Sequence, residues 1–263
     1  MVLKKKKNWK SVKLERSSLG YIIMLDGNTL RTSSKNNFVI ENKAIADEVH
    51  REWLNVKGEI TYSSMPYTKA CFLSIDRSKQ ESLKLRNKLV SYGMSDLLCY
   101  RAEVDSELAK LQSKGWDPLI EWMQFLLKTT FRISHSIMPI EQSHNLEIGL
   151  TKLMAPVKPL NLTALNELVA LSGSLIIGIA IQKGKISPDR GWKLIRIDED
   201  WFPDGNFLEN GGTYLDNFEL NYVEASNETQ VILKTRSSNH NESLILNGNL
   251  SLSSATNNDG DLD

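Results

Sequence analysis

Side chains able to do chemistry are thinly spread in this chain. Its histidines, His50, His135, His144 and His240, stand far apart, and none belongs to the His-Glu-x-x-His pattern that puts two metal ligands on one helix face. Cys71 and Cys99 sit in apolar contexts with no partner at zinc-ligand spacing. They read as buried free thiols of a reducing compartment, with a disulfide as the alternative. No Gly-x-x-x-x-Gly-Lys-Ser/Thr loop is present to cradle a nucleotide phosphate, and no Gly-x-Ser-x-Gly elbow presents a nucleophile. The densest acidic group is Asp198-Glu199-Asp200, followed by Trp201. These carboxylates end a helix that Ser187-Pro188 begins, where the helix dipole already carries negative partial charge. Such a placement reads either as a solvated acidic end or as a partner-binding site. The expectation is a protein that is not an enzyme, has no metal or cofactor, and acts by contact.

The elements that position these groups are organised around residues 92–119. Short alternating segments broken by Gly and Asn precede this stretch, and long apolar helical patterns follow it. Gly93 permits a sharp turn, and Leu97 to Tyr100 is a compact apolar run that reads as a short buried strand returning to an N-terminal sheet. Asp105 or Ser106 caps a helix carrying Leu108 and Leu111, and Asp117-Pro118 starts another. The division is residues 1–104 as an N-terminal α+β domain, 105–203 as a helical domain, and 204–263 as a divergent, largely disordered tail.

In the first part, Ser11 to Arg16, Tyr21 to Leu25 and Asn28 to Arg31 read as an antiparallel meander turned by Ser17 to Gly20 and by Asp26-Gly27. A short strand, Phe38 to Ile40, follows. Asn42 caps a helix whose Ile45, Val49, Trp53 and Val56 recur at helical spacing and cover that sheet, with Trp53 at the centre of the first core. Pro66 begins a further helical stretch, and Leu83 to Val90 continues in the same style. In the second part, Phe131 to Ile137 reads as an extended connector. The longest helix is expected from about Thr163 to Gln182, entered by Asn161 or Thr163, with Ala170, Ser174 and Gly178 as a close-packing stripe. Trp192 and Ile195 face inward on the last helix. Ser243 to Leu252 admits a hairpin about its Asn-Gly pair. The fold class is therefore α+β: a small antiparallel sheet with helices, then an all-α bundle.

Composition narrows the partners. Lys+Arg and Asp+Glu are equal at 32 each, which argues against general nucleic-acid or membrane-surface binding. Lys4 to Lys7 at one end and Asp259, Asp261 and Asp263 at the other read as solvated tails. The uncharged run from Leu168 to Ile181 is shorter than the roughly 20 residues that a spanning helix needs, so no stable membrane insertion is expected. The N-terminus lacks the apolar core of a secretory signal and the Arg-rich amphipathic character of a mitochondrial presequence. A bacterial cytoplasmic protein is the reading, in which the sequons at Asn161, Asn227, Asn241 and Asn249 carry no glycan.

One long set of motifs resembles a known family. Leu25-Asp26-Gly27 with Leu30-Arg31-Thr32, Glu52-Trp53, Ser64-Met65-Pro66-Tyr67-Thr68, the run from Tyr92 to Glu103, Trp116-Asp117-Pro118, Leu171 to Leu175, and Asp198 to Trp201 occur in order along the chain. They resemble the chaperones that assemble the F1 sector of ATP synthase by protecting its α subunit. The resemblance implies a monomeric, ATP-independent chaperone that binds the newly made F1 α subunit transiently and masks its interfaces until β competes for them. Beyond Trp201 the chain departs from the family, with Pro203-Asp204-Gly205 where a Trp-Gly pair and acidic residues would continue. Candidate partner-binding residues are Arg101, Glu103, Trp116, Asp117, Trp122, Glu199, Asp200 and Trp201, since exposed aromatic and charged side chains anchor interfaces. Core positions for the tryptophans and an interdomain ion pair for Arg101 and Glu103 are the structural alternatives. Competing functional readings are a small-molecule enzyme with its site between the two domains, or an adaptor retained in a finished complex.

Overall fold

The computed structural model describes residues 5–136 and 138–201 and, as backbone, the strands at 218–225, 228–237 and 240–249. The chain begins with β1 (Lys5–Lys6), β2 (Val12–Ser17), β3 (Gly20–Leu25) and β4 (Asn28–Thr29), and β5 (Glu59–Ile60) pairs with β1. β2, β3 and β4 form an antiparallel sheet in that order, with Leu14 opposite Ile23 and Met24 opposite Thr29. The turn between β3 and β4 places Asp26 and Gly27 at φ 47° and 81°, the positive pair that a tight hairpin requires. Asp26 also accepts the Lys10 and Ser11 amides, which tie the turn to the entry of β2. Ile40 bridges to Tyr21 in place of a longer fourth strand.

Helix α1 (Lys43–Asn55) begins where Asn42 accepts the Ile45 amide, and it buries Ile45, Ala46, Val49 and Trp53 against the sheet. Trp53 packs on Trp9 at 5.2 Å and donates from its indole nitrogen to Thr68. Thr68 lies in α2 (Pro66–Asp76), which completes this first core with Tyr67, Cys71 and Phe72. Arg77 ends α2. Ser78 and Glu81 then form a capping box that opens α3 (Lys79–Met94). Packing changes over here: Leu89 and Val90 of α3 belong to a second core. Both cysteines are buried and free.

The second core is helical: α4 (Glu107–Leu127), α5 (His144–Met154), α6 (Pro159–Ser172), α7 (Leu175–Gln182) and α8 (Pro188–Ile195). Several sequence expectations are corrected in it. Leu97 to Tyr100 is not a strand of the first sheet. Leu97–Cys99 is a 3-10 turn capped by Asp96 and buried among helices, and only Tyr100 makes a single parallel bridge, to Ser134 in the connector. Pro118 does not start a helix either. It lies inside α4, which Ser106 caps through the Ala109 amide; burial of Trp116, Leu119 and Ile120 on one continuous face outweighs the hydrogen bond that the proline forgoes.

The long helix from Thr163 to Gln182 is two helices. Gly173 takes φ 66°, ending α6, and Ser174 restarts the chain by accepting the Ile177 amide. α6 begins at Pro159 without a side-chain cap, so neither Asn161 nor Thr163 enters it. Ala170, Ser174 and Gly178 consequently share no face, although Gly178 does admit Leu165 and Val169 of α6 closely. The break is fastened by Asp96, whose buried carboxylate accepts from the Ser174 hydroxyl at 2.7 Å and the Ile176 amide at 3.0 Å. Gly93 is likewise not at a turn. It sits in α3, where a Cβ would meet Leu150 and Leu175 at 2.8 Å, so its missing side chain allows α5 and α7 to approach.

Further on, β6 (Phe218–Ala225), β7 (Glu228–Ser237) and β8 (His240–Asn249) form a second antiparallel three-stranded sheet in chain order, within the segment that sequence reading treats as largely disordered. Asn247-Gly248 lies in β8, paired with Gln230 and Thr229, and does not turn a hairpin. The architecture among the described residues is α+β and rich in helix, with the small N-terminal sheet preceding eight α-helices.

Candidate functional site

Several of the candidate residues converge where α4 meets the turn after α8. Trp116 is wholly buried, and its indole nitrogen donates to the Leu194 carbonyl at 2.7 Å, which anchors α8 on α4. The Arg101 guanidinium lies over the Trp116 ring at 5.0 Å. It donates from Nε to the Leu98 carbonyl and from Nη2 to Asp117 at 2.7 Å, while Nη1 is buried without a hydrogen-bond partner among the described residues. Burial draws the Arg101 pKa down from its ordinary value, and the Asp117 carboxylate opposes that shift. The Asp117 end of the ion pair is half-exposed, with 41% of its side chain open to solvent against 1% for Arg101. A buried cation thus holds a carboxylate at the surface.

A second strand of polar contacts runs parallel to this one. Gln112, on the same face of α4 one turn before Trp116, accepts the Ala102 amide at 2.7 Å and donates to Asp198 at 2.5 Å. The Ala102 carbonyl in turn bonds His135 at 2.7 Å. Arg196, which follows the last residue of α8, pairs with Asp200 at 2.6 Å and stands 3.8 Å from Glu199. Its guanidinium also covers Trp192 at 5.5 Å. The three carboxylates at a helix C-terminus are therefore not left to the helix dipole alone, because Arg196 supplies the cation that such an end prefers. Asp200 is mostly covered, whereas the Glu199 side chain remains 66% exposed.

The structure sorts the sequence candidates accordingly. Arg101, Asp117 and Trp116 come together directly, and Glu199 and Asp200 lie on the turn that Gln112 and Arg196 fasten beside them. Trp116 is core and offers no contact surface. Glu103 is exposed and makes no ion pair with Arg101, because that guanidinium turns inward to Asp117. Trp122 is half-buried against the helical core, and Trp201 is half-buried. Sequence reading missed Gln112 and Arg196. The i to i+4 spacing of Arg196 to Asp200 is a signal that could have found the second; Gln112 had none, since its partners are distant in sequence. The arrangement presents fixed carboxylates, suited to meeting cationic or amide groups of another molecule. Among the described residues no group of three or more His, Cys, Asp or Glu could hold a metal ion, and no helix is long and apolar enough to cross a membrane.

The comparisons with known proteins agree in direction. The family model described as ATP12 chaperone protein matches residues 6–124, which takes in Arg101, Trp116, Asp117 and Trp122. Among solved structures, Atp12 from Paracoccus denitrificans is 34% identical over 74% of this chain and 83% of its own, with a TM-score of 0.69. A point mutant of the P. denitrificans protein gives the same values. The Atu1473 protein of Agrobacterium tumefaciens, a putative chaperone by its description, is 29% identical over 75% of each chain, with a TM-score of 0.68. The chain belongs to the ATP12 chaperone family, a family of F1-ATPase assembly chaperones.

Proposed function

We propose that this chain binds the unassembled α subunit of F1, without using ATP, and masks its apolar interfaces until β displaces it. The observation that carries this reading is the family membership, at 34% identity over most of a solved Atp12. An unassembled subunit exposes a large apolar surface, and a binder that covers it reversibly suppresses association with wrong partners. The chaperone acts as a monomer in the bacterial cytoplasm, and its exposed Asp117 and Glu199 carboxylates contribute to the contact. Positioning of Asp117 by Arg101 serves such a role, since a carboxylate held in place loses little freedom when a partner arrives.

The test is a pull-down with the tagged full chain from cells making F1 subunits, comparing free α with assembled enzyme. Recovery of α without β is the expected result. Recovery of complete F1 in stoichiometric amount would point instead to a retained adaptor, and recovery of neither subunit by a folded protein would overturn the proposal.

A further inference from the structure

A cleft of about 990 Å³ opens between the two cores, on residues other than those of the acidic site. One wall is the segment 39–45 that leads into α1, with the end of α2 behind it. The other is the α5 to α6 connection, and the end of α7 forms the floor. Its charge is one-sided. Among the lining residues Lys43, Arg77, Lys158 and Lys183 face a single carboxylate, Glu41, although the whole chain has formal net charge zero.

Internal pairing accounts for only part of that excess. Lys43 is paired with Asp47 at 2.7 Å, and Lys158 with Glu41 at 3.0 Å. Arg77 is half-buried and gives Nη1 to the neutral hydroxyl of Thr163 at 2.7 Å, with the carboxylates of Glu81 and Glu167 acting on it electrostatically. Lys183 is half-buried, and its ammonium has no partner among the described residues. Ile75, Val157, Leu160 and Ile179 supply apolar surface between these cations. The Glu41–Lys158 pair joins the two walls through side chains that are 77% and 62% exposed; exposed pairs of this kind contribute about 0–1 kcal/mol, so the join opens readily.

We propose that this cleft binds an acidic, aliphatic peptide segment of a protein partner, with Arg77 and Lys183 receiving carboxylates and the aliphatic lining receiving the side chains between them. Identifying that partner as the client rests on the chaperone reading above. The client would then meet two faces of opposite sign, cationic here and acidic beside α4. The cleft is at the upper end of the roughly 300–1,000 Å³ typical of small-ligand sites, and its lining combines cationic with aliphatic side chains.

The probe is a fluorescein-labelled peptide of alternating Leu, Glu, Ile and Asp, compared with its Gln and Asn counterpart by anisotropy on the full chain. The acidic peptide is expected to bind at least about tenfold more tightly, with an affinity that falls as salt rises. Lys183→Gln, which breaks no polar side-chain contact among the described residues and so should keep the wild-type melting midpoint, is expected to remove most of that preference; Arg77→Gln serves as the second variant. Equal binding of the two peptides, or an acidic preference untouched by both variants, would overturn the inference. So would displacement of the peptide by inorganic phosphate at constant ionic strength, which would mark the cleft as a small-anion site. Capture of α by a chain that ignores the acidic peptide refutes the cleft and leaves the chaperone reading standing. Peptide binding lost in Lys183→Gln, by a chain that captures no α, supports the cleft and refutes the client.

Discussion

Trp116 joins three parts of the helical core, and replacing it in two ways separates their contributions. Trp116→Ala removes a wholly buried indole. Truncations of this kind cost about 3–5 kcal/mol, and the Leu194 carbonyl is left without its donor, which adds about 1–3 kcal/mol. The guanidinium of Arg101 also loses the ring beneath it. Because these terms share one cavity they do not add fully, and a total of about 4–6 kcal/mol is expected. Trp116→Phe keeps most of the apolar volume and an aromatic face for Arg101, but it cannot donate to Leu194. Its cost is about 1–2 kcal/mol.

Urea unfolding followed by far-ultraviolet circular dichroism measures both, without relying on the tryptophan signal. At an m-value of about 2–3 kcal/mol/M, the alanine midpoint falls by about 1.3–3 M and the phenylalanine midpoint by about 0.3–1 M. Amide exchange supplies the more specific readout. In Trp116→Phe, protection should fall first in residues 188–201, because the lost bond is the one that fastens α8 to α4. A phenylalanine variant as unstable as the alanine variant would refute the division between packing and hydrogen bonding. Unchanged protection across α8 would refute the anchoring role.

Three further outcomes are expected. Gly93→Ala puts a methyl 2.8 Å from Leu150 and Leu175; overpacking of about 1–3 kcal/mol exceeds the gain of about 1 kcal/mol in helix propensity, so the urea midpoint should fall, and a rise would show that the α3 crossing can relax. Burial holds the Glu52 carboxyl up at about 7, against hydrogen bonds from the Thr68 hydroxyl and the amides of Thr68 and Tyr67. Its folded pKa lies above the ordinary value of 4.5, so its contribution to stability is complete below that value and is lost as pH rises through about 7. Glu52→Gln should therefore flatten the decline in urea midpoint between those pH values, and an unaltered slope would show that the carboxyl ionises freely; buried Asp96, pushed up to about 6, leaves a residual slope of the same sign. Glu199→Lys should leave the melting midpoint close to that of the parent chain and lower the recovery of F1 α, whereas Asp200→Lys should lower both because it breaks the Arg196 pair. Parent-level recovery of α by folded Glu199→Lys would remove that carboxylate from the contact.

Legibility differed between the two cores for physical reasons. In the first, contacts follow the local period: Asn42 caps α1, and the stripe from Ile45 to Trp53 falls on the sheet as its spacing requires. Asp26-Gly27 shows its turn in two residue types. In the second, contacts between distant residues overrode local signals. Asp117-Pro118 has the chemistry of a helix start, yet the indole one residue earlier reaches Leu194 and Asp117 reaches back to Arg101, so α4 continues through the proline. The run from Thr163 to Gln182 is apolar at most positions, and Ser172-Gly173-Ser174 was its local sign of a stop. What holds the break is Asp96, 78 residues before Ser174, and no pattern within the run reveals it.

The acidic site followed the same rule. Three carboxylates beyond the end of α8 were visible as a cost, but the cation that offsets it was missed. Arg196 neutralises Asp200 at 2.6 Å, and Gln112 holds Asp198. Glu199 is the remainder: 3.8 Å from a guanidinium already committed to Asp200, and 66% exposed. Folding explains two of the three acids. The third gains little from its own chain, and a partner's cation is the interaction that would give that position its value, which makes Glu199 the residue at which binding and stability separate most cleanly.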